Sequence, residues 1–267
     1  MPTGPDMRAL ELDLPACPRA LVQLSLLLSS EDSPISAIAE LIESDMALAS
    51  AVVRTVNSSL FGLSRRVGTV GEAVRYLGTS EVTALTFEIG LRAAFTPTPE
   101  LETLWDRASR RGLLMGRSAQ ALALEALRAH TAGLFARSGQ AVMLSRASLP
   151  YSALLRRHGS DEALLAQAEL DAFGLTHAAL GSALCRAWGL ADDVAEYVRE
   201  HVRPASEWGR HPRGVRDLLV LGAVVDALLD GRDVHEVAET HSGWIALEPE
   251  DIVSAVMPQW HRLSGVH

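Results

Sequence analysis

The chain has 267 residues, of which 24 are basic and 33 acidic, giving a net charge of −9. That acidic balance excludes a dedicated nucleic-acid binder, because phosphate contacts need clustered positive charge. Hydrophobic residues make up 48% and aromatics only 5%, so the core must be mostly Leu, Ala and Val, which suits helices better than a β-sandwich.

A chain of this length buries roughly three-quarters of its unfolded surface, so one large domain or two close-packed lobes is expected. Every basic residue is Arg and none is Lys, a bias that GC-rich coding produces without any functional cause. Cys17 and Cys185 are far apart and form no CxxC pair, so a reducing cytoplasm is the expected setting. Met1–Pro15 shows no signal-peptide core. The longest apolar run, Leu218–Leu229, is interrupted by Asp226 and is too short to span a bilayer. A soluble protein without membrane association is expected.

Helix signals then follow one another along the chain. Cys17-Pro18 opens a first helix carrying Leu21, Leu24, Leu27 and Leu28 at helical spacing. Ser33-Pro34 opens a second, with Ile35, Ile38, Leu41 and Ile42 on one stripe. Asp45 caps a third, which should end at Asn57 in a left-handed turn. Thr69-Val70-Gly71-Glu72 is a capping box, and Gly78 closes the short helix after it. Ser80–Phe95 is apolar all round and should be buried.

Thr96-Pro97-Thr98-Pro99 marks the boundary between two lobes. A long helix is predicted from Pro99 towards Leu127, and a central buried one from Thr131 to about Ala147. Leu149–Arg157 and Asp161–Phe173 follow, then a helix capped by Thr176 and ending at Trp188-Gly189. Asp192-Asp193 supply negative charge to the first turn of the next, which Pro204 stops. Val215–Asp230, Val234–Thr240 and a helix opened by Glu248-Pro249 complete the chain. With no strand-period segment, the expected class is all-α.

Three local patterns in the first part are familiar together. They are Leu14-Pro15…Pro18, then Ile42-Glu43-Ser44-Asp45…Leu48…Val56-Asn57-Ser58…Phe61-Gly62, then Val70…Ala73-Val74…Leu77-Gly78. With Ala172-Phe173-Gly174…His177…Gly181…Trp188-Gly189-Leu190 they resemble HDOD domains, a bacterial signalling family related to HD-type metal phosphohydrolases. The resemblance implies an N-terminal tail (1–13), a five-helix lobe (14–95) and an HD-like helical lobe (99–204). It leaves a C-terminal helical extension (205–267) without a counterpart.

Catalytic HD-type enzymes hold one or two divalent metals with histidines and aspartates on several helices, polarising phosphate and generating hydroxide. Laid on this chain, the first His falls near Arg107 and the His-Asp pair on Ala136-Arg137. Ala cannot ligate, and Arg stays protonated and repels a cation. His177, His201 and Asp226 fall at or near later ligand positions, too few for a hydrolytic centre. No catalytic residue, metal or cofactor is therefore expected, and the metal site reads as degenerate.

Arg107 and Arg137, with His177 and His201, are instead candidates for binding a nucleotide or other small anion, if both guanidiniums face the vacated pocket. The competing expectation pairs them with acids such as Asp106, Glu169 or Asp226. His130 and His158 are expected at helix ends. Phe61, Arg65 and Arg66 form a second candidate, a partner surface with an exposed aromatic. The resemblance implies a non-catalytic regulatory scaffold acting on other signalling proteins, in a setting such as cyclic di-GMP signalling. The alternative is a metal-dependent HD-type phosphohydrolase or phosphodiesterase.

Overall fold

The computed structural model describes residues 14–28 and 35–264. The expected tail 1–13, the Ser33-Pro34 helix start and His267 lie outside the described residues. Among the described residues every regular element is a helix, as the composition predicts.

The first lobe contains α1 (Arg19–Leu28), α2 (Ile35–Glu43), α3 (Met46–Val56), α4 (Val70–Leu77) and α5 (Thr79–Ala93). The Asp45 carboxylate accepts from the N–H groups of Ala47 and Leu48 and so starts α3. Thr69 caps α4 by accepting from Glu72 N–H, and the Glu72 carboxylate accepts from Gly68 N–H at 2.6 Å. Gly78 ends α4 at φ +85°, where a Cβ would strain the backbone. Helix α5 buries Val82, Leu85, Phe87 and Leu91 and packs against the other four helices of the lobe.

Asn57 does not take the expected left-handed turn; its φ is −79°. Its side-chain amide works instead as a clasp. It donates to Val67 O and accepts from Val67 N–H, both at 2.9 Å, closing the loop between α3 and α4.

The second lobe contains α6 (Pro99–Ala121), α7 (Ala126–Phe135), α8 (Ser138–Arg146), α9 (Ser148–His158), α10 (Glu162–Phe173), α11 (His177–Ala187) and α12 (Asp192–Glu200). Two expectations are corrected here. Helix α6 stops at Ala121, before a turn in which Ala123 adopts φ +56°, rather than running to Leu127. The single central helix is two helices, α7 and α8, broken at Ala136-Arg137. At Arg137 the backbone leaves helical geometry (φ −103°, ψ 12°), which lets α8 close on α11. A Cβ on Gly139 would stand 1.9 Å from the carbonyl oxygen of His177, so only Gly permits that approach.

The C-terminal residues are not an appendage. After a 3-10 turn (Ala205–Arg210) come α13 (Arg213–Leu229), α14 (Val234–His241) and α15 (Pro249–Ser264). Both α13 and α15 pack on α6, so they complete the second lobe. The lobes are tied by Trp188, whose indole N–H donates to Pro15 O at 3.0 Å. No described helix is long and apolar enough to cross a membrane.

Candidate functional site

The core of the second lobe holds a set of charged side chains delivered by six elements. Arg111 comes from α6, Arg137 from the α7–α8 break, Glu162 and Glu169 from α10. His177 opens α11, Tyr197 and His201 come from α12 and its end, and Asp226 from α13. The Arg111 side chain is only 2% exposed. Its Nε and Nη2 donate to the two oxygens of Asp226 at 2.8 and 2.7 Å, a bidentate pair, and Nη2 also donates to Tyr197 Oη at 2.5 Å. A Cβ on Gly222 would meet that Tyr197 hydroxyl at 2.3 Å, so the glycine on α13 makes the room. Burial opposes the charge on Arg111, but the Asp226 carboxylate outweighs it and raises the guanidinium further.

On the other side of the set, Arg137 forms an ion pair with Glu162. Burial pushes the Glu162 carboxyl up, but Arg137, then His177, hold it well below its usual range. His177 is fully buried, with Nδ1 at 2.8 Å from Glu169 and Nε2 at 3.3 Å from Glu162. Burial works against protonation, yet the two neighbouring carboxylates prevail and lift the imidazole to about 9. Tyr151 Oη donates to Glu169 at 2.5 Å. His201 bonds Val198 O through Nδ1 at 2.8 Å, and burial lowers its imidazole to about 3. The result is balanced: Arg111, Arg137 and protonated His177 face Asp226, Glu162 and Glu169.

The HD-like fold implies divalent metals at this place, and the residues do not fit them. Glu162, His177 and His201 do bring one ligand atom each within 4.8 Å of one another, and the Nε2 atoms of both histidines are buried without a hydrogen-bond partner. However, Arg137 already pairs with Glu162, so a fixed cation sits on the one carboxylate of that group. The arrangement is a self-neutralised ion network that also fixes six elements in place.

The structure separates the sequence-predicted residues. Arg137, His177 and His201 do come together. Arg107 does not join them: it lies one helical turn from Arg111 and donates to Asp230 at 2.6 Å, partly exposed. With each guanidinium already on a carboxylate, the two do not form a shared anion clamp. Arg111, Glu162, Tyr151 and Tyr197 were missed. The spacing of four between Arg107 and Arg111 was the available signal, since both lie along one helix face.

Phe61 is corrected from exposed to buried, at 9%, under the guanidinium of Arg117, 5.8 Å from the ring centroid. Arg65 and Arg66 remain on the surface, with Arg65 over the Tyr76 ring at 5.3 Å. His130 is corrected from a helix end to the buried middle of α7. A further cluster, Glu196, Glu200 and His211, joins α12 to the C-terminal helices, and Arg210 covers Glu200 at 2.8 Å.

A family model for the HDOD domain matches residues 14–204. A curated protein from Treponema pallidum (strain Nichols), itself uncharacterized, is 28% identical over 194 residues. Those cover 71% of this chain but 37% of that protein, so the chain spans little more than a third of its relative's length. Among solved structures, one provisionally named a phosphohydrolase, from Shewanella amazonensis, superposes with TM-score 0.73 at 18% identity and 94% coverage of both chains. An HDOD domain protein of unknown function from Geobacter sulfurreducens gives TM-score 0.68 at 20% identity, covering 95% of this chain and 92% of that one. At such identities the superpositions show the shared fold. With the family match spanning both lobes, this chain belongs to the HDOD domain family.

Proposed function

We propose that this HDOD protein is a non-catalytic regulatory scaffold of the bacterial cytoplasm, working through contacts with other signalling proteins, cyclic di-GMP enzymes or two-component proteins among them. One observation carries the reading: Arg111 and Arg137 stand on Asp226 and Glu162 where an HD-type hydrolase needs free carboxylates. The candidate contact surface is the loop carrying Arg65 and Arg66, with Tyr76 beside it; Tyr76 is 48% exposed. The net charge of −9 speaks against nucleic acid as the partner.

The alternative, a metal-dependent phosphohydrolase or phosphodiesterase, draws on the convergence of Glu162, His177 and His201. One experiment separates the two readings. Protein purified without chelator is analysed for Mn, Fe and Zn and assayed against a generic phosphodiester and cyclic di-GMP. The scaffold reading expects metal well below one equivalent and no turnover. Stoichiometric metal, with turnover lost in His201→Ala, overturns it.

A further inference from the structure

The two lobes enclose a cleft of about 610 Å³ between the end of α3, the middle of α5, the first half of α6 and the last turn of α15. That is the size of a small-molecule site, and no residue of the ion network lines it. Two independent observations meet there.

The first is the floor. Glu88 on α5 is 6% exposed, and the bonds it makes all go to one of its two oxygens. The Ser109 hydroxyl donates to Oε1, and Arg92 Nε donates to the same atom at 3.0 Å. Ser109 also accepts from Arg92 Nη2 at 2.9 Å, so the three side chains hold one another in place. Oε2 receives no hydrogen bond among the described residues, yet it is not one of the fully enclosed polar atoms without a partner. It therefore keeps accessible surface, and Glu88 is a wall of the cleft. Burial raises this carboxyl, against the pull of Ser109 and Arg92. A buried carboxylate with one bare oxygen lacks a donor, and an N–H from a ligand supplies it.

The second observation is the rim. Arg110 on α6 and Arg262 on α15 both line the cleft and are exposed. Neither forms an ion pair among the described residues, and Arg262 makes one long hydrogen bond, to Gln259 at 3.5 Å. Arg92, by contrast, is held by Glu88, Glu102 and Asp106. With Arg92, Arg110 and Arg262 set against Glu88 and Asp106, the lining is positive in a chain whose net charge is −9. Two guanidiniums without carboxylates suit a phosphate. Ser58 and Ser59, exposed in the turn after α3, add hydroxyls to the same wall.

We infer that this cleft binds a nucleoside monophosphate, with an N–H of the base on Glu88 Oε2 and the phosphate on Arg110 and Arg262. The floor reads a donor and the rim reads an anion, so a ligand needs both to use the whole site. Such a ligand touches the first lobe, α6 and α15 at once, which supplies a place for small-molecule control of how the lobes sit together. The site does not depend on the scaffold reading.

The test is calorimetric titration of the whole chain with AMP, GMP, CMP and UMP, compared with ribose 5-phosphate, which carries the anion without a base. At least one nucleotide is expected to saturate with a Kd below about 1 mM. Ribose 5-phosphate should bind roughly tenfold more weakly, the worth of one hydrogen bond to a charged group. Arg110→Gln with Arg262→Gln, both on the surface, should weaken that nucleotide at least about tenfold. Glu88→Gln keeps the side-chain volume and should narrow the preference over ribose 5-phosphate. The paired arginine variant decides the matter even where Glu88→Gln fails to fold. No nucleotide saturating up to about ten millimolar, or a nucleotide whose affinity the arginine variant leaves unchanged, overturns the site. Ribose 5-phosphate binding as tightly as every nucleotide overturns it as well. None of these results bears on metal content or turnover, so this inference and the scaffold reading fail separately.

Discussion

The two lobes solve burial in opposite ways. The first is held by aliphatic side chains around α5, and Glu88 is the one ionisable residue among its buried described positions. The second places Arg111, Glu169 and His177 at its centre, tied across six elements. An apolar core depends on volume and changes little with pH. A core of paired charges depends on each partner being present and on where its protons sit. The second lobe therefore buries charges that neutralise one another from within.

The largest expected effect tests that contrast directly. Arg111→Ala leaves the partly buried Asp226 carboxylate unpaired and should cost about 3 kcal/mol in urea unfolding. Replacing both partners together, Arg111→Met with Asp226→Leu, should recover most of the loss, as paired apolar substitutions do. Equal losses in the single and double variants would show that packing volume, not charge pairing, dominates there too. In the first lobe Phe61→Ala should cost about 3 kcal/mol, with the same loss on either side of neutrality.

His177 supplies the pH arm of the comparison. Its folded value of about 9 lies above the ordinary 6.5, so its stabilisation is complete below pH 6.5 and disappears as pH rises through 9. The shift corresponds to roughly 3 kcal/mol. His130 and His201 act in the other direction. Both are held neutral with values of about 3, so stability falls as pH drops below 6.5 and the unfolded chain takes up protons. Thermal unfolding should therefore peak near pH 6.5. In His177→Gln the decline on the alkaline side should flatten while the acid side remains. A variant whose curve runs parallel to the parent at every pH would remove His177 from this role.

The smallest effect belongs to Arg107. Its pair with Asp230 is about a third exposed on each side, and Arg107→Ala should cost under about 1 kcal/mol, less at high salt. Four residues along the same helix, the cost should be several times larger. A large loss at Arg107 would place it in the network after all.

This last pair shows what could and could not be read from sequence. Helix starts were legible because Asp45, Thr69 and Thr176 each act on N–H groups two or three residues away, a local interaction that leaves a local signature. Asp226 stood out because it interrupts an apolar run. Choosing Arg111 over Arg107 required the tilt of α6 against α13, which no local pattern records. Phe61 looked exposed because its neighbours are Gly62 and two arginines, while its cover, Arg117, comes from the other lobe. The break at Ala136-Arg137 was hidden for a similar reason: it answers the approach of α11, not any helix-stopping residue.

The bond from Trp188 to Pro15 has a consequence for how the chain is made. Its partners are 173 residues apart, so the leading segment, which carries the accepting Pro15 carbonyl, emerges from the ribosome long before its donor exists. At roughly 5–20 residues per second, about ten to thirty-five seconds of synthesis separate them. During that interval the first lobe must stand on its aliphatic core alone, and its opening segment gains this bond only once the end of α11 has folded.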